Sequence, residues 1–296
     1  MRRLLLSALC ASFVGCQPHD SELKLDGRPV GEVLREVNSG DAARKSQAVE
    51  LLRRSGTNLF PVVVQLLESK PESAADKQKS GGSPSARVLP SLRETLPATR
   101  RSYAVGAFHA LGTNAAAAMP LVAPLLNAPE SATVAAMVLV RMGPEGVVAV
   151  LQATTSSQPR VRTAAASALL SLRPADAAAQ PLLLAALPST NAFTVATSAA
   201  ALGKIGVEAA LTAPELAKLL THESLDVRIG ASSGLRDLGP PASSAVPALL
   251  IAARASEEAL RLASAGALWR IAPETAQREG IPNPMTGSGD SSSRAK

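Results

Sequence analysis

Aromatic side chains are scarce in this chain of 296 residues, which has four Phe, one Tyr and one Trp. The cores of β-sandwiches and α/β enzymes of this size usually depend on aromatic and β-branched residues. Hydrophobic residues, chiefly Ala, Leu and Val, nevertheless make up 46% of the chain, so its core must form almost without rings. Closely packed helices are the architecture that this composition favours.

Cysteine occurs only twice, at Cys10 and Cys16. Two arginines precede an eleven-residue apolar run at residues 4–14. This run is too short to cross about 30 Å of hydrocarbon as a permanent helix, but it has the length of the h-region of a secretory signal. We therefore expect a signal peptide over residues 1–15 and no disulfide framework in the mature chain.

The end of this segment, Phe13-Val14-Gly15-Cys16, resembles the lipobox of bacterial lipoproteins, with Phe where Leu is usual. The resemblance implies that Cys16 receives a diacylglycerol and that the mature protein is held on a membrane of the cell envelope, facing the periplasm. Gln17 is not the Asp that retains members of that family at the inner membrane, and the choice of membrane stays open. The alternative is an ordinary cleaved signal that is followed by an incidental Cys.

The positive charge of the chain is concentrated in one segment. Residues 70–101 carry seven basic and three acidic side chains, and the remainder after residue 15 is neutral. A nucleic-acid interface needs a basic groove with rings for stacking, so nucleic acid is not expected as a partner. The basic segment could instead contact anionic lipid headgroups.

A 33-residue period organises residues 41–280. Its anchors are Leu169, Leu202, Leu235 and Leu268, and weaker copies are anchored on Leu52, Phe108 and Leu139. Around one anchor, Val227, Ala231, Leu235 and Leu238 are separated by four, four and three residues, which places them on one face of a helix.

Glycine and proline divide each copy into two helices. A Gly follows most anchors by four residues, and a Pro typically follows by twelve, as in Gly239 and Pro247. Gly suits a helix end and Pro suits the first turn of the next helix. Neither helix can bury its apolar face alone, so the units must stack. The sequence predicts an all-α fold, an α-solenoid of about six to seven helix-turn-helix repeats.

The Val-Arg-x-x-Ala-x-x-x-Leu-x-x-Leu-Gly cores and the later Pro-x-Leu resemble HEAT repeats, particularly the short kind first associated with phycobilisome lyases. The resemblance implies a scaffold whose second helices line a concave groove. The third copy departs from this pattern, with Ser131 and Ala132 in place of Val-Arg and Leu151 in place of Pro. We expect distorted packing there.

These patterns divide the chain into four parts. They are the signal peptide over 1–15, a lipidated tether over 16–28, the solenoid over 29–279 with a mobile loop at about 69–88, and a disordered tail over 280–296. Within the solenoid, residues 26–37 are expected to contain a short opening helix that caps the stack.

Apparent catalytic motifs have structural explanations. The letters Gly230-Ala-Ser232-Ser-Gly234 match a nucleophile elbow, but that motif needs a strand before the Ser, and here a helix is predicted. Small residues at a helix crossing are the better interpretation. Ser21-Glu-Leu-Lys24 imitates a penicillin-binding motif without its companion Lys-Thr-Gly. We therefore predict a protein that is not an enzyme.

The histidines give no metal site. They are His19, His109 and His222, and none has the spacing of a metal-binding pair. We predict no cofactor and no metal, and a local role such as capping for these side chains.

Arginines recur seven residues before four of the anchors, at Arg101, Arg162, Arg228 and Arg261. They could form a binding stripe for carboxylates, or they could hold loop acids and carbonyls of the adjacent unit, and Asp226 is a suitable partner for Arg228. We favour the structural role. Trp269 is expected to shield the exposed end of the stack rather than to be a contact hot spot.

The leading functional hypothesis is a protein-interaction scaffold that grips a partner peptide or helix on its second helices. Candidate polar contacts are Gln65, Asn127, Gln152, Lys218 and Arg254. A lyase-like or chromophore-handling role, by analogy with the family, lacks a reactive residue here, because fold alone does not fix function. The identity of the protein partner and the oligomeric state stay open.

Overall fold

The computed structural model describes residues 23–68, 89–92, 95–128 and 130–284. The predicted signal peptide, its Cys16, the 69–88 loop and residues 285–296 lie outside the described residues. The described chain is almost entirely helical, apart from one short hairpin at its start.

This hairpin is formed by β1 (Lys24–Leu25) and β2 (Arg28–Pro29), which pair in antiparallel fashion. Its turn is made by Asp26 and Gly27, both with positive φ. The backbone amide of Val30 donates to the carbonyl of Leu23, so the hairpin is continuous with the first helix. The segment expected to be a tether up to residue 28 is therefore ordered from residue 24, because its backbone groups find partners in one another.

The first helix, α1 (Val30–Val37), packs on two later helices. The fourteen α-helices that follow it are α2 (Ala42–Arg54), α3 (Phe60–Leu67), α4 (Pro97–Leu111), α5 (Met119–Val122), α6 (Ala132–Leu139), α7 (Pro144–Ala153), α8 (Pro159–Leu169), α9 (Gln180–Ala186), α10 (Ala192–Ile205), α11 (Ala209–Leu219), α12 (Leu225–Leu238), α13 (Val246–Ala252), α14 (Glu258–Ile271) and α15 (Pro273–Arg278). Short 3₁₀ helices lie at Gly56–Leu59, Pro90–Leu92, Gly112–Ala118, Ala123–Asn127, Pro174–Ala179 and Pro240–Ala245.

The helices form seven consecutive pairs in the described part of the chain, from α2 with α3 to α14 with α15. We call each pair a unit, its even-numbered member the first helix and its odd-numbered member the second helix. First helices pack on first helices of the next unit, as α6 on α8 and α10 on α12, and second helices pack on second helices, as α7 on α9 and α11 on α13. One continuous apolar core extends from Val30 to Ile281. The protein is an all-α solenoid, as predicted.

The predicted anchors lie in this core. Leu52, Phe108, Leu139, Leu169, Leu202, Leu235 and Leu268 are all buried. Two of the four Phe residues meet there, since the rings of Phe60 and Phe108 have centroids 6.2 Å apart between the first two units. Full burial of a Leu or Phe side chain contributes about 1.5–3 kcal/mol, so the anchors together supply much of the stability.

The first helices of units five and six approach closely because they meet at glycines. A Cβ on Gly203 would lie 2.3 Å from the carbonyl oxygen of Gly234, and one on Gly230 would lie 2.5 Å from that of Ala196. Both distances are far below van der Waals contact. The interpretation of the Gly230–Gly234 segment as small residues at a helix crossing is confirmed.

Buried hydroxyl and amide groups join unit three to unit five, unit four to unit five, and unit six to unit seven. Thr154 Oγ1 lies 2.7 Å from Thr194 Oγ1, Gln180 Nε2 donates to Thr212 Oγ1 at 3.1 Å, and Ser232 Oγ lies 2.9 Å from Ser264 Oγ. A buried polar group is costly unless it is hydrogen-bonded, so each pair fixes the register between its two elements.

The third unit has a shorter turn than its neighbours. Its second helix begins at Pro144 directly after Gly143, which has a φ of 115°, whereas a 3₁₀ segment separates the two helices of units four and six. The residue that stands 33 positions before Pro181 is therefore Val148. The assignment of Leu151 to the Pro position is wrong, because the shortened turn moves the second helix by three residues.

The N-terminal end of the stack is closed by α1, which packs on α2 and also on α4. Asn38 Nδ2 donates to the carbonyl of Leu34 at 2.9 Å and to that of Tyr103 at 3.4 Å. Gly106 makes room for this side chain, since a Cβ there would lie 2.1 Å from Asn38 Oδ1. The predicted opening helix thus touches two units rather than one.

The C-terminal end is closed by Trp269, whose indole Nε1 donates to the carbonyl of Ile281 at 3.0 Å. Ile281 is buried, and its amide donates to the carbonyl of Ala276. Trp269 therefore shields the end of the stack, as predicted. The tail was expected to begin at residue 280, but residues 280–284 pack on α14 and α15 because Ile281 has an apolar site to fill.

One described stretch, Ala98–Asn127, is long and apolar enough to cross a membrane by length and composition. Its backbone breaks at Gly112, where φ is 54°, and the two halves are the two helices of unit two. Ala104, Ala107 and Phe108 from this stretch are fully buried in the core. Packing within the stack therefore accounts for its apolar character.

Candidate interaction surface on the second helices

Large apolar side chains are exposed on the second helices of units three, five and six. Ile251 is 75% exposed, Leu211 53% and Val148 38%. A singly exposed apolar residue is normal on any protein, but these three all lie on second helices of the stack. We call the outward side of α7, α9, α11 and α13 the second-helix face.

The second-helix face repeats with the same period as the core. Val148, Pro181, Pro214 and Pro247 are 33 residues apart and all are exposed. One turn later, the exposed positions are Gln152, Ala185, Lys218 and Ile251, again 33 residues apart. Equivalent positions of stacked helices are neighbours in space, so these two rows run along the solenoid.

The predicted polar contacts fall partly on this face. Gln152 and Lys218 occupy the same row as Ile251, and Arg254 lies one turn beyond it, with all three exposed. Asn127 is exposed in unit two, where its carbonyl accepts a hydrogen bond from Gln158 Nε2 at 3.4 Å. Gln65 is only half-exposed in unit one. Gln152, Lys218 and Arg254 therefore lie on the second-helix face, whereas Asn127 and Gln65 lie on units two and one.

The two cations of this face are engaged in exposed ion pairs. Lys218 Nζ lies 2.7 Å from Glu215 Oε1 in the same helix, and Arg254 Nη2 lies 3.0 Å from Glu279 Oε2. Exposed pairs of this kind contribute about 0–1 kcal/mol each. A partner carboxylate could therefore replace Glu215 or Glu279 at little cost.

Two acids lie at the opposite end of the second helices. Glu145 is in the first turn of α7, and Glu208 immediately precedes α11. Both are exposed, and Glu208 has a left-handed backbone with a φ of 44°. The amino edge of the second-helix face is thus acidic at units three and five, while its carboxyl edge is basic at units five and six.

The exposed apolar residues were missed by the sequence reasoning, which considered only polar side chains as contacts. The signal was present for Ile251, which follows the anchor Leu235 by the same interval as Lys218 follows Leu202. Extending the alignment through the second helices would have placed Ile251 on the face, whereas counting from Leu139 reaches Leu151 instead of Val148. Leu211 lies one turn before Pro214 on the same helix, so its place on the face follows from that of Pro214.

The recurring arginines hold loops in place. Arg162 Nη1 donates to the carbonyls of Ser156 at 2.8 Å and Ser157 at 3.1 Å. Arg261 Nη1 donates in the same register to the carbonyls of Ala255 and Ser256, both at 3.2 Å. The structural role is confirmed for these two, because their guanidinium groups fix the connection from the preceding unit.

Arg228 differs from the other two in its partner. Its Nη2 donates to Glu257 Oε1 of the next unit at 2.8 Å, so the expected pairing with Asp226 is wrong. The pKa of Glu257 is lowered by a hydrogen bond from its own backbone amide, by the hydroxyl of Ser256 and by Arg228. The fourth arginine, Arg101, is replaced in this role by Arg100, which is buried and donates from Nε to the carbonyl of Leu92 at 3.0 Å.

The described histidines have local roles. His222 Nδ1 accepts from the backbone amide of Ser224 at 3.0 Å and so caps the start of α12, as predicted. The ring Nε2 of His109 lies 3.2 Å from the carbonyl oxygen of Met137. Neighbouring protein atoms displace water from His109 and lower its pKa, and Arg141 and Arg173 lower it further.

Within the described residues, no group of three or more His, Cys, Asp or Glu side chains could hold a metal ion. Ser232, the centre of the apparent nucleophile elbow, is fully buried and donates to the carbonyl of Arg228 at 3.0 Å. A hydroxyl in the middle of a helix and sealed from solvent cannot meet a substrate.

Stacked helical pairs, a continuous core and a recurrent exposed face together define a helical repeat solenoid. No protein-family model matches the chain, and no curated protein matches it. Among solved structures, the chain is similar to an engineered protein, at 15% identity over 82% of this chain and 98% of that chain, with a TM-score of 0.40. It is also similar to a designed armadillo repeat protein, at 14% identity over 82% and 99%, with a TM-score of 0.36. Another similar structure is one of the computationally designed armadillo repeat proteins for modular peptide recognition, at 14% identity over 82% and 99%, with a TM-score of 0.34.

Proposed function

We propose that this protein is a non-enzymatic scaffold of HEAT-like repeats that binds a protein partner through its second-helix face. The observation that carries the proposal is the exposure of Ile251, Leu211 and Val148 on stacked second helices. Interaction sites combine apolar and polar contacts, and here Gln152 and Lys218 share a row with Ile251 while Arg254 lies one turn beyond it.

The proposal is tested by crosslinking the full chain in its native membranes and recovering its partners. Ile251→Asp and Leu211→Asp place a charge at exposed apolar positions of the face without touching the core. The matched control is Leu262→Asp, because Leu262 is also about half-exposed but lies on the first helix α14. We expect the first two variants to lose a partner that the wild type and the control retain. Equal recovery by all four proteins would contradict the proposal.

We also propose that the protein is exported and anchored by lipid on Cys16, on the periplasmic side of a bacterial membrane. Support comes from the sequence, where a basic start and an eleven-residue apolar run precede Gly15-Cys16. Acyl chains contribute about 0.8 kcal/mol per buried methylene, so a diacylglycerol would hold the protein durably.

Cys10 provides the control for this anchor, because it is the second cysteine of the same segment. Cys16→Ser should abolish incorporation of labelled fatty acid and release the protein from the membrane fraction, whereas Cys10→Ser should change neither. Membrane retention and labelling of the Cys16→Ser protein would show that the anchor assignment is wrong.

A further inference from the structure

Units four and five are joined closely on one side only. On the side of the second helices, α9 packs on α10, and the buried Gln180 donates from Nε2 to Thr212 Oγ1 at 3.1 Å and to the carbonyl of Val207 at 3.3 Å. On the side of the first helices, α8 and α10 touch each other less than any other two consecutive first helices of the described chain. The junction is therefore closed along the second helices and open along the first helices.

The 33-residue register shows where α8 lacks a neighbour. Ala166, Ala199 and Ser232 occupy equivalent positions of three consecutive first helices. The backbone of Ala199 lies against Gly234 of the following unit, the hydroxyl of Ser232 lies against that of Ser264, and both residues are fully buried. Ala166 is partly exposed instead. Unit five therefore does not cover α8 as units six and seven cover the first helices that precede them.

A buried hydroxyl in α10 marks the same gap. Ser198 is the equivalent of Ser264, whose hydroxyl pairs with Ser232 between units six and seven. Between units four and five, Ala166 stands at the position of Ser232 and offers no hydroxyl. Ser198 Oγ is buried and has no hydrogen-bond partner among the described residues. A buried polar group without a partner is unfavourable, so this junction lacks a bond that the junction of units six and seven has.

The units on either side of the gap are joined closely. Before the gap, α6 packs on α8, and Arg141 of unit three donates to the carbonyl of Ser171 at 2.8 Å and to the carboxylate of Asp176, both in unit four. After the gap, α10 and α12 meet at Gly203 and Gly234, where no side chain would fit. The gap thus lies between two blocks, units three and four on one side and units five to seven on the other.

Two hydrogen bonds define a line about which these blocks can turn. Thr154 follows the carboxyl end of α7, and its Oγ1 lies 2.7 Å from Thr194 Oγ1 of unit five. Gln180 is at the amino end of α9 and donates to Thr212 of unit five. Both bonds start on second helices, one at a carboxyl end and one at an amino end. The line through them therefore runs along the second helices and leaves the first helices free to move apart.

We infer that the junction between units four and five is a hinge of the solenoid, and that bending about this line opens and closes the space between α8 and α10. Domain movements of this kind are concentrated at a few positions between parts that stay rigid. As the hinge turns, α7 and α9 tilt relative to α11 and α13, so the curvature of the second-helix face changes. The inference does not depend on which partner the scaffold binds.

Four equivalent positions allow a matched measurement of this motion. They are 33 residues apart in the first turns of consecutive first helices, and all are exposed: Arg160, Phe193, Asp226 and Ala259. Spin labels on Arg160→Cys and Asp226→Cys span the hinge and one further junction. Labels on Phe193→Cys and Ala259→Cys span two junctions without the hinge. Packed helices are about 8–10 Å apart, so both pairs span about 16–20 Å.

Double electron–electron resonance gives the distribution of distances for each pair. The full chain carries Cys10→Ser and Cys16→Ser, so that the labels attach only to the introduced cysteines. We expect the distribution across the hinge to be at least twice as wide as that of the control pair. Thr212→Val removes one acceptor of Gln180, and it should widen the first distribution further and leave the second unchanged.

Equal widths for the two pairs would overturn the inference, because the hinge would then be no more mobile than the other junctions. The position of the line is wrong if Thr212→Val leaves the first distribution unchanged or widens both alike. The comparison of the two pairs needs no substitution in the core, so it stands even if the Thr212→Val protein does not fold.

Discussion

The hydroxyls of Ser232 and Ser264 lie 2.9 Å apart in the buried contact between α12 and α14. Ser232 Oγ also donates to the carbonyl of Arg228 at 3.0 Å, so its single proton is used within its own helix. Ser264 is therefore the donor in the bond between the two hydroxyls. The two serines are unequal partners, although both are fully buried.

This inequality predicts different costs for two similar substitutions. Ser232→Ala removes the acceptor and leaves the buried Ser264 hydroxyl to find another partner, which should lower the free energy of unfolding by about 1–3 kcal/mol. Ser264→Ala leaves Ser232 bonded to Arg228 and should cost less than about 1 kcal/mol. Urea denaturation of both variants and of the double variant measures the difference. A larger cost for Ser264→Ala would reverse the donor assignment.

The close crossing of α10 and α12 predicts that Gly234 accepts no side chain. A Cβ at this position would lie 2.3 Å from the carbonyl oxygen of Ala199, and a backbone atom cannot swing away. Gly234→Ala should lower the free energy of unfolding by about 1–3 kcal/mol or more. Gly40→Ala is the control, because nothing lies within 4 Å of its Cβ, and its melting temperature should be unchanged or slightly raised.

Shortening an anchor leucine should lower the free energy of unfolding much more than shortening a leucine on the surface. Leu235 is fully buried, so Leu235→Ala should lower the free energy of unfolding by about 2–5 kcal/mol, as measured by chemical denaturation. Leu262→Ala changes the same chemical group at a half-exposed site of the next first helix and should cost well under 1 kcal/mol. Similar costs for the two variants would mean that the repeat register is incorrect.

His109 predicts a dependence of stability on pH. Neighbouring protein atoms that displace water, together with Arg141 and Arg173, lower the pKa of His109 below its ordinary value of 6.5, so the unfolded chain binds a proton more readily than the folded one. The free energy of unfolding should therefore fall as the pH decreases from above 6.5 through the folded-state pKa. His109→Gln keeps a donor for the Met137 carbonyl and removes the titration. Melting temperatures at pH 7.5 and pH 5 should differ less for this variant than for the wild type.

The repeated elements of the fold could be predicted from sequence because each copy supports the others. The spacing of Leu169, Leu202, Leu235 and Leu268 fixed the first helices, and the structure buries all four. Where the period weakens, prediction weakens as well. In unit three, the shortened turn at Gly143 brings the second helix three residues earlier, so counting twelve residues from Leu139 reaches Leu151 and misses Val148.

Contacts that join distant segments could not be read from the period. Leu89 and Leu92 are buried, and Arg35 of α1 donates to the carbonyl of Ser91, but no spacing relates residue 35 to residue 91. From the sequence, Asp226 and Glu257 were both possible partners for Arg228. The path of the next loop brings Glu257 to it instead of Asp226. The surface was missed for a different reason, since only polar residues such as Lys218 were considered and Ile251 was not.

The backbone contact between Gly203 and Gly234 holds the first helices of units five and six closer together than a side chain at either position would allow. Lys218 belongs to one of these units and Ile251 to the other, so the distance between their helices is set before any partner arrives. A surface whose parts are already positioned loses less conformational entropy on binding than one that must be ordered. Two glycines buried between the first helices thus set the spacing of the second helices on the opposite side of the protein.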